Sequence, residues 1–157
     1  MEDIFQTLTK LGIEFKKYQH PPVYTVEEAS EHAGHIPGGR SKNLFLRNKK
    51  GDKYYLIIAD TSTNTDLKSI ASIVDEKRIG FASPERLKEH LGITPGAVSP
   101  FGLLNDKNKI VTVLLDKKLT THDELGFHPN INTETLVISS RDLIKYLNSV
   151  GNKLLYF

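Results

Sequence analysis

The chain has 157 residues, 21 basic and 19 acidic side chains for a net charge of +2, and no cysteine. The lack of cysteine excludes a disulfide scaffold, a Cys-ligated zinc site and a thiol nucleophile. So small a charge excess lacks the basic surplus of a protein that wraps a long duplex, yet allows a partner offering a few phosphates.

A chain of this length fits one domain, residues 1–157, burying roughly 70% of its unfolded surface without help from a metal. The opening Met1-Glu2-Asp3 is acidic, and Gln6, Thr7 and Thr9 break the apolar run. No secretory signal is expected there. No stretch approaches the ~18 apolar residues of a membrane span, so the expectation is a cytoplasmic protein.

Ile4, Phe5, Leu8 and Leu11 recur at helical spacing before Gly12, which predicts a helix over 2–11. Ile13 to Tyr18 reads as a strand ended by His20-Pro21-Pro22. Thr25 with Glu28 forms a capping box, and Val26, Ala29 and Ala33 give that helix a buried stripe up to Gly34. Residues 36–42, with Pro37, Gly38 and Gly39, read as a loop. Asn43–Arg47 and Tyr54–Ala59 are two strands joined by a turn at Lys49-Lys50-Gly51-Asp52.

Asp66 opens a short helix bearing Leu67, Ile70, Ala71 and Val74, and Arg78–Ala82 is a short strand. Ser83-Pro84-Glu85 starts a helix that Gly92 ends. Residues 93–102 form a second constrained loop, Lys109–Leu115 is a strand, and 120–130 read as irregular. Thr135–Ser139 is a strand, and Ser139 with Asp142 caps a last helix carrying Leu143, Ile144 and Leu147. Interspersed strands and helices with a hairpin argue an α+β fold: a mixed sheet with helices packed on it.

Gly34 to Ser41 approximates a phosphate-binding P-loop. That loop needs a strand before it, a helix after it, and a lysine where Arg40 stands. The order here is reversed, so a nucleotide cofactor is not expected, although a bare anion-cradling loop stays open. Lys42 could serve as a point charge for a phosphate or a polarised carbonyl. The plainer alternative is a solvated lysine.

Among the six histidines, His32-x-x-His35 and His122-x-Glu124 have the wrong order for a zincin motif, and no metal is expected. His20 and His90 read as surface or boundary residues. His128 stands out in Gly126-Phe127-His128-Pro129-Asn130, followed by Asn132-Thr133. Proline holds its backbone extended, and a histidine so placed lines a substrate pocket, acts as an acid or base, or simply belongs to a capped turn. No nucleophile elbow is present, and Ser99 is followed by proline with no evident activating base.

Three segments together resemble a known family. They are Ser41-Lys42-Asn43-Leu44-Phe45-Leu46, the run Thr94-Pro95-Gly96-Ala97-Val98-Ser99-Pro100-Phe101-Gly102-Leu103, and Gly126-Phe127-His128-Pro129-Asn130 with Asn132-Thr133-Glu134-Thr135. In this order they resemble the YbaK/prolyl-tRNA synthetase-associated editing domains. The His-Pro-Asn segment resembles the free-standing ProX or PrdX (ProXp-ala) branch, not the cysteinyl-tRNA(Pro) branch.

The resemblance implies a curved, mixed, mostly antiparallel sheet surrounded by helices, and neither metal nor nucleotide cofactor. It implies deacylation of alanyl-tRNA(Pro), with the acceptor end of the tRNA as partner and prolyl-tRNA synthetase as a further candidate partner. Lys42, Asn43 and the amides of Gly96, Ala97 and Val98 are the expected catalytic groups. Lys42 would face a phosphate or the ester carbonyl, Asn43 would support it, and the amides would hold the oxyanion. Ser99, Pro100, His128, Pro129, Asn132 and Thr133 are expected around the substrate. His128 would form the pocket wall, fixed by Pro129 and Asn132. The competing expectations are a deacylase for cysteinyl- or seryl-tRNA, and a module that binds aminoacyl-tRNA or a synthetase without chemistry.

Overall fold

The computed structural model describes residues 3–22 and 35–157. The helix expected from Thr25 to Gly34 lies outside the described residues. The chain runs α1 (Ile4–Lys10), β1 (Lys16–Gln19), β2 (Gly39–Asn48), β3 (Tyr54–Asp60), α2 (Leu67–Ile73), β4 (Ile79–Phe81) and α3 (Pro84–Leu91). A 3-10 helix follows at Pro100–Asn105, then β5 (Val111–Leu115), a 3-10 turn at Lys117–Thr121, β6 (Glu124–Phe127), β7 (Glu134–Ser139), α4 (Ser140–Val150) and β8 (Leu154–Tyr156).

The capping residues act as read. Asp66 accepts from the Ser69 N–H at 2.9 Å, Ser83 from Arg86 at 3.2 Å, and Ser139 from Asp142 at 3.0 Å. Each satisfies an amide that the first helical turn leaves open. Gly92 ends α3 in the left-handed region at φ 68°, a conformation that a side chain disfavours.

The strands form one sheet in the order β1-β7-β6-β2-β3-β5-β8, with β4 alongside β2. Among the described residues four pairings are antiparallel and three parallel. β3 is buried along its whole length. Its Tyr54, Leu56 and Ile58 enter the main core, while Tyr55, Ile57 and Ala59 enter a second cluster under α2. Alternation at period two, with apolar residues on both faces, makes it the central strand.

The sheet narrows at one place. Among the described residues, the half containing β1, β7 and β6 pairs with the half containing β2 and β3 only through Gly39–Leu125 and Arg40–Gly126. The expected loop at 36–42 therefore ends sooner than its composition implies, because residues 39–42 already belong to β2. Their backbone is recruited by strands on both sides. Residues 120–130 are likewise not irregular throughout, since 124–127 form β6. Leu125 and Phe127 are buried there, but four residues are too short a run to show a period. The C-terminal residues 154–156, which carry no pattern of their own, pair in parallel with β5.

Candidate active site

Lys42 and Asn43 sit in mid-β2, opposite Ala59 and Ile58 of β3. The other edge of β2 is covered by β6 at residues 39–40 and by β4 at residues 46–48. The Ala82 N–H closes the Phe45 carbonyl at 3.0 Å. Among the described residues, 41–44 have no strand partner on that edge, which leaves a gap in the sheet. The Lys42 side chain is half-buried, and no hydrogen-bond or ion-pair partner meets its ammonium among the described residues. Asn43 donates from Nδ2 to Ser41 Oγ at 3.2 Å, while its buried Oδ1 has no partner. A buried acceptor left open is uncommon and marks a place where a ligand donor would be stabilising.

The second stretch lies against the core side of the same strands. Gly96 adopts φ 93°, which requires glycine. Ala97 is buried in the main cluster with Phe45, Leu125 and Phe127. The Phe101 ring meets the Phe127 ring edge-on at 6.2 Å. Three expectations change here. The Ala97 N–H donates to the Thr94 carbonyl at 3.2 Å, so this amide closes a turn and is not offered to an oxyanion. Ser99 is fully buried, and its hydroxyl caps the 3-10 helix by accepting from the Phe101 N–H at 3.0 Å. Pro100 is buried too, and its carbonyl accepts from the Tyr146 hydroxyl at 2.8 Å. Ser99 and Pro100 thus anchor the loop from inside. Gly96, exposed, and Val98, half-buried, remain at its outer end.

His128 follows β6 by one residue. Parallel pairing sets Gly126 beside Arg40, so His128 and Lys42 each lie two residues beyond the same rung. Gly126 and Arg40 share the face turned away from the main core, since a Cβ on Gly126 would meet Thr135 Cγ2 at 3.0 Å and Arg40 Nη1 at 3.7 Å. Alternation puts Lys42 on that face as well, and Asn43 on the opposite one. Register and alternation thus set Lys42 and His128 toward one face of the sheet, while the 96–101 loop packs on the other.

His128 donates from Nδ1 to the Glu134 carbonyl at 2.9 Å, since a carbonyl can only accept. Burial pushes its pKa down, and the neighbouring His20 adds to this against the opposing Glu134 bond. The neutral ring then presents an unprotonated Nε2. Asn132 makes no hydrogen bond to His128 among the described residues, so the expected clamp is supplied by Glu134. Pro129 is buried, Asn132 half-buried and Thr133 exposed. Asn130 takes φ 65° and has an unpartnered buried Oδ1.

His20, read from sequence as a surface or boundary residue, is buried. It is 8% exposed, its ring centroid is 6.0 Å from that of His128, and its Nε2 lies 2.8 Å from Thr135 Oγ1. The available signal was the repeated His-Pro pair at 20–21 and 128–129. A second polar cluster escaped notice altogether. His122 donates from Nε2 to Asp60 at 2.7 Å, and Ser62 donates its hydroxyl to the same carboxylate at 2.6 Å. These bonds hold Asp60 down at about 2, with Ser62 the largest cause. Two grooves, of about 650 and 740 Å³, lie elsewhere, one lined by Lys10, Lys107 and Lys109 and the other by Phe15, Glu124 and Asp142. Neither contains Lys42 or His128, and chemistry outweighs size in placing the site.

The family model for the aminoacyl-tRNA editing domain matches residues 20–146. The chain belongs to this family. The editing-domain match runs from His20 through the Lys42 strand, the 96–101 loop and His128 to Tyr146. The prolyl-tRNA editing protein ProX of Acetoanaerobium sticklandii is 40% identical over 153 residues, 95% of this chain and 91% of that protein. Prolyl-tRNA synthetase associated domain-containing protein 1 of Danio rerio is 32% identical, over 93% of this chain and 80% of that protein. These place the chain with the free-standing ProX type of editing domain. The crystal structure of a candidate trans-editing enzyme for prolyl tRNA synthetase superposes with a TM-score of 0.72 at 22% identity, covering 98% of this chain and 93% of that one. It shares the fold, a mixed, mostly antiparallel sheet among helices.

Proposed function

We propose that this protein acts, as one editing domain, in trans as a deacylase that hydrolyses alanine mischarged onto tRNA(Pro). What supports the reading is the edge of β2 beside Lys42 and Asn43 that no described strand covers, together with a histidine whose Nδ1 is held by a carbonyl so that Nε2 is left to accept. The 40% identity to a prolyl-tRNA editing protein supplies the tRNA.

The substrate bond is an ester between the amino-acid carboxyl and the terminal ribose. Water adds to the carbonyl carbon, the carbon–oxygen bond to the ribose breaks, and the ribose oxygen takes a proton. The ester is already activated, so placement and charge suffice. Lys42 neutralises the terminal phosphate or polarises the carbonyl. The outward amides of the loop, at Gly96 and Val98, face the developing oxyanion. Asn43 Oδ1 supports the ribose end as an acceptor. His128 walls the amino-acid pocket and accepts from the substrate ammonium through Nε2. The neighbouring ribose hydroxyl assists the attacking water.

Selectivity follows from size, because a pocket that admits a methyl excludes the proline ring. Binding alone separates such groups by only about 10–200-fold per methylene, which is the reason for a second sieve. The acceptor end of tRNA is the partner, prolyl-tRNA synthetase a further one, and the cytoplasm the site of action. A panel of alanyl-, seryl-, cysteinyl- and prolyl-tRNA(Pro) tests this. Selective release of alanine is expected. Binding without turnover, or release of another amino acid in preference, refutes it.

A further inference from the structure

His20 grips the start of β7 twice. Its backbone N–H donates to the Thr133 carbonyl at 2.9 Å. Its Nδ1 donates to the Pro21 carbonyl at 2.8 Å, and its Nε2 pairs with the Thr135 hydroxyl at 2.8 Å. Between these two anchors lies Glu134, whose carbonyl takes the His128 Nδ1–H. Carbonyls alternate in direction along an extended strand. The Thr133 carbonyl therefore turns toward β1 and the Glu134 carbonyl toward the β6 side. The Thr135 methyl lies against Gly126 of β6.

A neutral imidazole can carry its hydrogen on either nitrogen, and a second hydrogen bond decides which. We propose that His20 is a positioning residue for His128: by fixing β7 through Thr133 and Thr135, it sets the Glu134 carbonyl that keeps the His128 hydrogen on Nδ1 and its lone pair on Nε2. The role rests on the reading above, in which Nε2 meets the substrate. His20 itself acts only through the strand.

The test uses the full chain, nitrogen-15 NMR of the imidazoles, and deacylation kinetics on alanyl-tRNA(Pro). The wild-type His128 spectrum should show the Nδ1–H form. His20→Ala and Thr135→Val should each shift it toward a mixture. Each should raise KM about tenfold, the equivalent of one lost hydrogen bond, with a smaller change in kcat. The double variant should add little to either. His20→Gln, whose amide oxygen can still take the Thr135 hydroxyl, should restore much of both readouts. Should His20→Ala fail to fold, Thr135→Val and His20→Gln carry the same measurements.

An unchanged His128 spectrum in Thr135→Val and in the folded His20 variants overturns the proposal. A shifted spectrum with KM unmoved, in these variants and in His128→Ala alike, upholds the positioning and removes His128 from substrate binding instead.

Discussion

His122 and Asp60, 62 residues apart in the chain, are joined by a 2.7 Å hydrogen bond across the place where the two halves of the sheet meet. Asp60 ends β3, opposite Ser41 of β2, and His122 stands two residues before β6. The bond therefore straps β6 to the β2–β3 pair beside a junction that has two rungs among the described residues. Lys42 belongs to one half and His128 to the other, so the strap and the two rungs beside it together tie the segments that carry them.

Asp60 gives the strap a pH signature. Its pKa lies near 2 in the folded chain, against an ordinary aspartate near 3.9 when unfolded. The folded state favours the ionised form, so its contribution is complete above the unfolded value and is lost as pH falls from about 4 through about 2. Urea unfolding at several pH values should show wild type more stable than Asp60→Asn at neutral pH. The difference should shrink across that window. A gap that stays constant down to pH 2 would exclude an ionised Asp60 from the junction.

Gly39→Ala should loosen the same junction by a steric route. A Cβ there would lie 2.6 Å from the His122 ring, so the ring must move off Asp60. A loss of about 1–3 kcal/mol is expected from such overpacking. Deacylation should fall too, as the halves carrying Lys42 and His128 separate. Combining Gly39→Ala with His122→Ala should recover stability relative to Gly39→Ala alone, measured by thermal denaturation.

Lys42→Ala should separate activity from folding. The ammonium has no protein partner among the described residues, so its removal leaves no group unpaired. The melting temperature should stay close to wild type. Single-turnover deacylation should drop by roughly 10²–10³-fold, the size of losing one electrostatic stabiliser of a transition state. Lys42→Arg should not restore it fully, since a planar fork does not replace a point charge.

His128 predicts the acid limb of activity. Burial lowers its pKa below the usual 6.5, with the Glu134 bond opposing and His20 adding to the shift. kcat/KM on alanyl-tRNA(Pro) should therefore hold through pH 6.5 and fall only below it, as Nε2 gains a proton and repels the substrate ammonium. His128→Gln should flatten that limb. The linkage to folding has the same direction: the unfolded chain binds this proton more readily, so stability present above 6.5 declines as pH drops toward and through the lowered value.

Much of the fold was legible because local chemistry specified it. Asp66, Ser83-Pro84 and Ser139 announced three helix starts, and the Lys49-Lys50-Gly51-Asp52 turn announced the β2–β3 hairpin. β6 and β8 were hidden because strands of four and three residues derive their conformation from neighbours. At the site, Lys42 and His128 stood out through their motifs. The bonds that orient the site did not, because His20 and Thr135 are 115 residues apart and His122 and Asp60 are 62 apart. No local pattern encodes such pairs. The amide of Ala97 and the side chains of Ser99 and Pro100 were misread for a related reason. A loop rich in proline and glycine looks shaped for a ligand, whereas part of its shape serves its own turn and cap.

Lys42 and Asn43 are consecutive, and consecutive side chains of an extended strand leave it in opposite directions. No molecule lying flat upon the sheet can meet both. A molecule engaging the pair would have to arrive edgewise, along residues 41–44 that no described strand covers, and be gripped from above and below together. Under the proposed function, such an approach suits a slender, single-stranded terminus better than a broad duplex.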